Sequence, residues 1–368
     1  MQAEAAGNWP KRPPFEELYA WGLNTYGPLG LGDTINRSSP AQIGALTTWS
    51  EVSVGFRNTI AVKTDGTLWS WGLNSAGQLG QNNTIDRSSP VQVGALTAWS
   101  VIASGSVFTL SIKTDNTLWS WGGGSAGQLG LGNTANQSSP VQVGALTNWS
   151  KIAAGNVHSL AIKTNGTLWS WGNNVSGQLG QNNLIYRSSP VQIGALTTWF
   201  QIAGGSNHSL AVKTDGTLWS WGRNDSGQLG HNNLIYRSSP VQVGALTTWS
   251  QIAGGGSFSL AIKTDGTLWA WGGGSAGELG NNSTAAQSSP VQVGALTNWS
   301  KIAAGTQFSF ANKTDGTLWS WGRGTNGELG LNNTVFQSSP VQVGALTKWS
   351  KLARIVGSTS TASAITVS

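Results

Sequence analysis

The 368 residues suffice for two ordinary domains, yet 51 glycines, 21 tryptophans and only 9% charged residues point to a single, indole-rich core. No cysteine is present, which excludes disulfide frameworks, thiolate metal sites and cysteine nucleophiles. The net charge of +6 is spread thinly with no basic block, so no nucleic-acid partner is expected.

Residues 1–17 read as an N-terminal extension. They carry Pro10, Pro13, Pro14, Glu16 and Glu17 without a continuous apolar run, so a secretory signal peptide is not expected. No later stretch approaches the roughly 18 apolar residues of a membrane span, and no membrane insertion is expected.

From Leu18 onward the chain repeats itself. Leu18-Tyr19-Ala20-Trp21-Gly22 is followed fifty residues later by Leu68-Trp69-Ser70-Trp71-Gly72, and that phrase recurs from Leu118, Leu168, Leu218, Leu268 and Leu318. Ala270 replaces the serine once. The tryptophans from Trp21 to Trp321 count seven repeats.

Within a repeat, Ile60-Ala61-Val62-Lys63 and Leu68-Trp69-Ser70-Trp71 alternate with the period of a strand. Asp65-Gly66 between them predicts a tight hairpin with positive φ at both central residues. Pro90-Val91-Gln92-Val93-Gly94 and Trp99-Ser100-Val101-Ile102-Ala103 suggest a second strand pair. No segment holds a helical period. About four short strands in each fifty-residue unit predict an all-β, seven-bladed propeller of four-stranded antiparallel blades over residues 18–368. Ser70 between two indoles is expected to leave room for the next blade's tryptophans. Residues 360–367 fall where sister repeats carry Ser159-Leu160-Ala161-Ile162-Lys163. Their pairing with Leu18–Trp21 is expected to close the ring and leave no bare sheet edge.

The words Trp71-Gly72-Leu73-Asn74-Ser75-Ala76-Gly77-Gln78-Leu79-Gly80 and Gly155-Asn156-Val157-His158-Ser159-Leu160-Ala161 resemble the regulator of chromosome condensation repeat. The resemblance runs in register from Leu18 onward and implies a seven-bladed propeller. It does not by itself imply a function, because one fold serves many functions. The family's founder is an exchange factor that reaches its GTPase through a wedge inserted in one blade, and the unbroken fifty-residue spacing leaves no room for one. The family's ultraviolet receptors use Gly-Trp-Arg-His-Thr words, and the nearest phrase here is Gly55-Phe56-Arg57-Asn58-Thr59. The repeats read closer to bacterial and phage versions.

Catalytic chemistry finds little to stand on. Gly-x-x-Gly words such as Gly77-Gln78-Leu79-Gly80 recur in each repeat without the lysine of a phosphate loop and read as turn glycines. His158 and His208 take the position of Phe108, Phe258 and Phe308, which marks a packing site rather than a metal site. Asp65, Asp115, Asp215, Asp265 and Asp315 read as turn residues. Glu278 and Glu328, where sister repeats carry glutamine, read as a surface polar position. No enzyme, cofactor or metal is expected.

Variation between repeats falls in three loop classes, after the Leu-Gly corner, after Trp-Gly, and around Phe56-Arg57-Asn58. In the first class Arg37, Arg87, Arg187 and Arg237 share one position, with Tyr186 and Tyr236 before two of them and Phe336 before Gln337. Tyrosine and arginine are favoured at interface centres, so these seven residues are the candidate partner-binding set. The competing role is an arginine that pins its own loop to a carbonyl. The expected function is a non-enzymatic protein-binding or structural propeller, such as a phage virion component or a bacterial surface binder. The alternative is a soluble regulator, an exchange factor or an enzyme inhibitor, acting through the rim.

Overall fold

The computed structural model describes residues 16–45, 48–355 and 361–367. The readings of the extension before residue 16, and of Ser360 as part of the closing strand, lie outside the described residues. Every regular element among those described is a β-strand. The chain opens with β1 (Glu16–Gly22) and β2 (Arg37–Gln42), then builds one blade after another around an axis.

The first complete blade consists of β3 (Trp49–Val54), β4 (Asn58–Lys63), β5 (Leu68–Gly72) and β6 (Arg87–Gln92), antiparallel in chain order. Strands equivalent to β3 line the axis, and those equivalent to β6 form the rim. The segment at Pro90–Gly94 therefore does not pair with Trp99–Ala103. Residues 87–92 are the outermost strand of one blade, and Trp99–Ser104 is the innermost strand of the next. The connection between them crosses from rim to axis.

The hairpin turn also differs from expectation. Gly66 N–H donates to the Lys63 carbonyl at 2.9 Å, Lys63 N–H to the Thr67 carbonyl at 3.0 Å, and only Gly66 has positive φ, at 77°. That is a three-residue loop with a bulge glycine, which needs one left-handed residue rather than two. Asp65 fixes the turn by accepting from the Thr67 amide at 2.9 Å and hydroxyl at 2.6 Å. The Trp69 indole in turn donates to the Thr67 hydroxyl at 2.9 Å. Lys63 lies 3.7 Å from the Trp69 ring centroid, a cation–π contact that recurs through Lys313 over Trp319. The closing blade has Tyr19 and Thr366 at these positions instead.

Indoles hold the blades to one another. Trp71 is fully buried, packs edge-to-face on Trp49 at 5.9 Å, and donates to the Pro28 carbonyl of the preceding blade at 2.8 Å. Room for it is made by Gly30, where a Cβ would stand 2.7 Å from the indole nitrogen. The serine of the Trp-Ser-Trp phrase acts within its own blade, where the Ser70 hydroxyl donates to the Leu79 carbonyl at 2.7 Å. Thr361–Val367 lies between β1 and Trp349–Leu352, so both chain ends share the last blade and the ring is closed as expected. The first strand starts at Glu16, two residues before Leu18, because Glu16 and Glu17 pair with Val367 and Thr366. A short strand, Arg354–Ile355, runs parallel to β3 and adds a second tie across the closure.

Candidate protein-binding surface

The long connections between the third and fourth strands of the blades emerge on one face of the ring. Each is fixed internally. In residues 173–186 the Asn174 side chain donates to the carbonyls of Asn183 at 2.9 Å and Ile185 at 3.2 Å, and accepts from the Leu179 amide at 2.9 Å. Asn182 N–H then donates to the Ser238 carbonyl of the next blade at 2.7 Å. A loop lashed at both levels has little conformational freedom left to lose on binding.

At the tips of two such loops on adjacent blades stand Leu184, Ile185 and Tyr186, and Leu234, Ile235 and Tyr236. These six are 44–59% exposed and stand together on a fixed backbone. Ile35, Ile85, Val335 and Phe336 form a second exposed group on three successive blades. Small residues separate the two groups, with Ala135 on one side and Ala285 and Ala286 on the other.

Of the seven candidates, the structure places Tyr186, Arg187, Tyr236 and Arg237 on neighbouring blades. Arg37, Arg87 and Phe336 sit with the other group. Arg37, Arg87 and Arg187 are occupied within their own loops. Arg37 donates to the Ile35 carbonyl at 2.8 Å and to the Asp33 carboxylate at 2.6 Å. Arg87 and Arg187 donate through Nε to Gln81 and Gln181, each at 3.1 Å. His231 replaces that glutamine below Arg237, and its ring is hydrogen-bonded to the Ser220 hydroxyl at 2.9 Å. The exposed aliphatics Leu184, Ile185, Leu234 and Ile235 were missing from the candidate set. Their signal was present in the repeats, since Thr134 and Ala135 fill the same turn in a sister loop.

The titratable residues are tied into packing. His158 and His208 are fully buried, and the Nε2 of His158 lies 3.0 Å from the Ser209 hydroxyl of the next blade. Burial, aided by the neighbouring His208, pushes His158 down to about 3, and burial pushes His208 down to about 4. Glu278 and Glu328 are not surface residues. They are 4% and 0% exposed, and their carboxylates accept from the Ala276 amide at 2.7 Å and the Asn326 amide at 2.6 Å. Gln78 accepts from the Ala76 amide in the same way at 2.9 Å, so the position takes a buried oxygen with or without charge. Burial raises both carboxyls. Gly77 and Gly80 take φ of 81° and 72°, as turn glycines do. Among the described residues no three His, Asp or Glu side chains converge as a metal site would require.

The RCC1-like domain profile matches residues 127–364, and the regulator of chromosome condensation (RCC1) repeat matches residues 16–62 and 65–112. No curated protein matches the sequence. Among solved structures, human WBSCR16 superposes with a TM-score of 0.84 at 22% identity, over 95% of this chain and 98% of that one. Yeast RCC1 (Prp20), in its complex with Kap60, gives 0.85 at 21% identity over 100% of this chain and 95% of that one. Prp20p from Saccharomyces cerevisiae, a structure described with its binding properties to Gsp1p and histones, gives 0.83 at 22% identity, over 97% and 93%. At such identities the likeness concerns the fold alone, while the profile match over residues 127–364 shows that this chain belongs to the RCC1-like domain family.

Proposed function

We propose that this protein is a non-enzymatic binding propeller that grips a protein partner with the paired loops at 184–187 and 234–237. The observation that carries the reading is the six-residue apolar cluster on two immobilised loops of adjacent blades. A fixed, aromatic-bearing patch loses little entropy on docking and gains apolar burial at about 25 cal/mol per Å2. Tyr186, Tyr236, Arg187 and Arg237 form the centre of this surface, with Arg187 bracing its loop through Gln181 as well as meeting the partner. Arg37, Arg87 and Phe336 would extend contact to a second lobe.

A regulator that acts by holding another protein is favoured over a purely structural part by the fold's likeness to yeast RCC1 (Prp20), which was solved bound to Kap60. The narrower reading, a virion component or bacterial surface binder, rests on the near-identity of the repeats. The test is the double change Tyr186→Ala, Tyr236→Ala. Partners co-purifying with the protein from its native source are identified by mass spectrometry, then titrated against both forms. The double variant should bind at least about tenfold more weakly with an unchanged melting curve. Unchanged affinity would remove this face from the binding surface.

A further inference from the structure

The axis of the ring holds a cavity of about 430 Å3, lined by the innermost strands. At one repeat position Ser104, Ala154, Gly204, Gly254 and Ala304 line it, and the last repeat carries Arg354 there. Five small residues on successive blades thus give way to a cation. Arg354 is exposed to the cavity, and its Nη1 reaches across the ring to donate to the Ile152 carbonyl at 3.1 Å. Beside that carbonyl, Lys151 donates to the Phe200 carbonyl and lies 3.8 Å from the Phe200 ring centroid. Gln201, Ser53 and Ser150 also line it, their side chains donating to the Ser250, Arg354 and Ile162 carbonyls, and among the described residues no aspartate or glutamate lines the space.

We infer that this channel is a binding site for a small oxyanion, held between Arg354 and Lys151. Two cations facing one cavity repel each other, and with no carboxylate on the wall the counter-charge must come from outside the lining. A guanidinium has five N–H donors, and among the described residues its one bond, to the Ile152 carbonyl, leaves most of the planar fork for a tetrahedral or planar oxyanion. Burial, and then the charge of Arg354, holds the Lys151 amine below its usual range. An anion between the two would relieve that repulsion. The competing role for Arg354 is to cap the carbonyl edge of the facing strand and nothing more.

The repeat supplies variants the ring already accepts. Arg354→Ala restores the residue found at Ala304, and Lys151→Gln installs the residue found at Gln201, whose amide donates to the Ser250 carbonyl at 2.7 Å. The intact protein and both variants would be titrated with inorganic phosphate by calorimetry and thermal shift, against sodium chloride of matched ionic strength. Saturable binding of phosphate beyond the chloride control is expected, weakened about tenfold or more in each variant. A hexaglutamate peptide forms the third arm. Peptide binding without any response to phosphate would assign the counter-charge to an acidic protein segment and overturn the free-anion site. An equal phosphate response in wild type and Arg354→Ala, or no saturable response at all, would overturn it as well.

Discussion

The indole N–H of Trp21, on the first strand, donates to the carbonyl of Glu328, in the last complete blade, at 2.9 Å. The same bond joins Trp71 to Pro28 at 2.8 Å and Trp321 to Glu278 at 2.9 Å, so the closing seam is built like the others. What differs is covalent continuity. The blade carrying Trp21 exists only while β1 stays paired with Thr361–Val367. Deleting residues 361–368 removes the strand between β1 and Trp349–Leu352, together with the buried Ala362, Ala364 and Ile365. The melting temperature should fall by about 10 °C or more, since each kcal/mol lost moves a chain of this size by a few degrees. A truncated protein that melts with the full chain would show the ring is held shut by something else.

Gly80 and Gly94 separate backbone strain from seam packing. Both have positive φ, 72° and 60°, so alanine at either carries the left-handed penalty of about 1–2 kcal/mol. At Gly94 nothing lies within 4 Å of an added Cβ, whereas at Gly80 it would stand 2.8 Å from the Trp121 indole nitrogen. Gly80→Ala should therefore cost about 2 kcal/mol more than Gly94→Ala in denaturant unfolding. Equal losses would mean that the indole can shift and that the seam is softer than its geometry indicates.

The fold was legible because the residues that build a blade are the ones that recur. Trp69-Ser70-Trp71 marks a strand, Asp65-Gly66 marks its hairpin, and the two chain ends are halves of one unit. Which strands neighbour each other was less legible: Pro90–Gly94 and Trp99–Ala103 are adjacent in sequence but belong to different blades, and periodicity carries no blade boundary. The site was legible only at its aromatic and basic members. Leu184 and Ile185 are the residue types a strand core would bury, and only the fixed loop backbone leaves them exposed. Glu278 misled in the other sense. A carboxylate suggests solvent, but here it is buried and accepts from the Ala276 amide. Arg354 was not singled out in the sequence, because its neighbours around the axis are set by the closed ring.

His158 and His208 make the ring acid-sensitive. Their folded-state values of about 3 and about 4 lie below the ordinary 6.5 because burial opposes the charged ring. Below pH 6.5 the unfolded chain therefore takes up protons that the folded ring refuses. Stability from these groups is complete above that pH and declines as acid is added, until the folded values are reached. Each histidine can cost up to about 1.4 kcal/mol per pH unit in that window. Phenylalanine already fills the position at Phe108, Phe258 and Phe308, so the double change His158→Phe, His208→Phe should fold. Its melting temperature should depend less on pH between about 6 and 4.5 than that of the wild type. Parallel pH profiles would show that other groups set the acid limit.

Glu278 gives the opposite sign. Its carboxyl is raised from the ordinary 4.5 by burial, so at neutral pH the ring holds a charge that water would solvate better. In the window between the unfolded and folded values the folded state retains a proton that the unfolded state has released. Stability therefore declines as pH rises through that window and stays lower above it. Glu278→Gln keeps the acceptor for Ala276, as Gln78 does for Ala76, and removes the charge. The variant should gain about 1 kcal/mol at pH 7, the usual size of one compatible stabilising change. The gain should vanish below about pH 4, where both forms are neutral. Glu328→Gln should gain less, because the Arg323 guanidinium lies 3.7 Å from that carboxylate and already offsets part of its burial. Thermal unfolding at pH 7 and pH 4 reads both differences. A gain that persists unchanged in acid would trace the effect to side-chain packing and not to the buried charge.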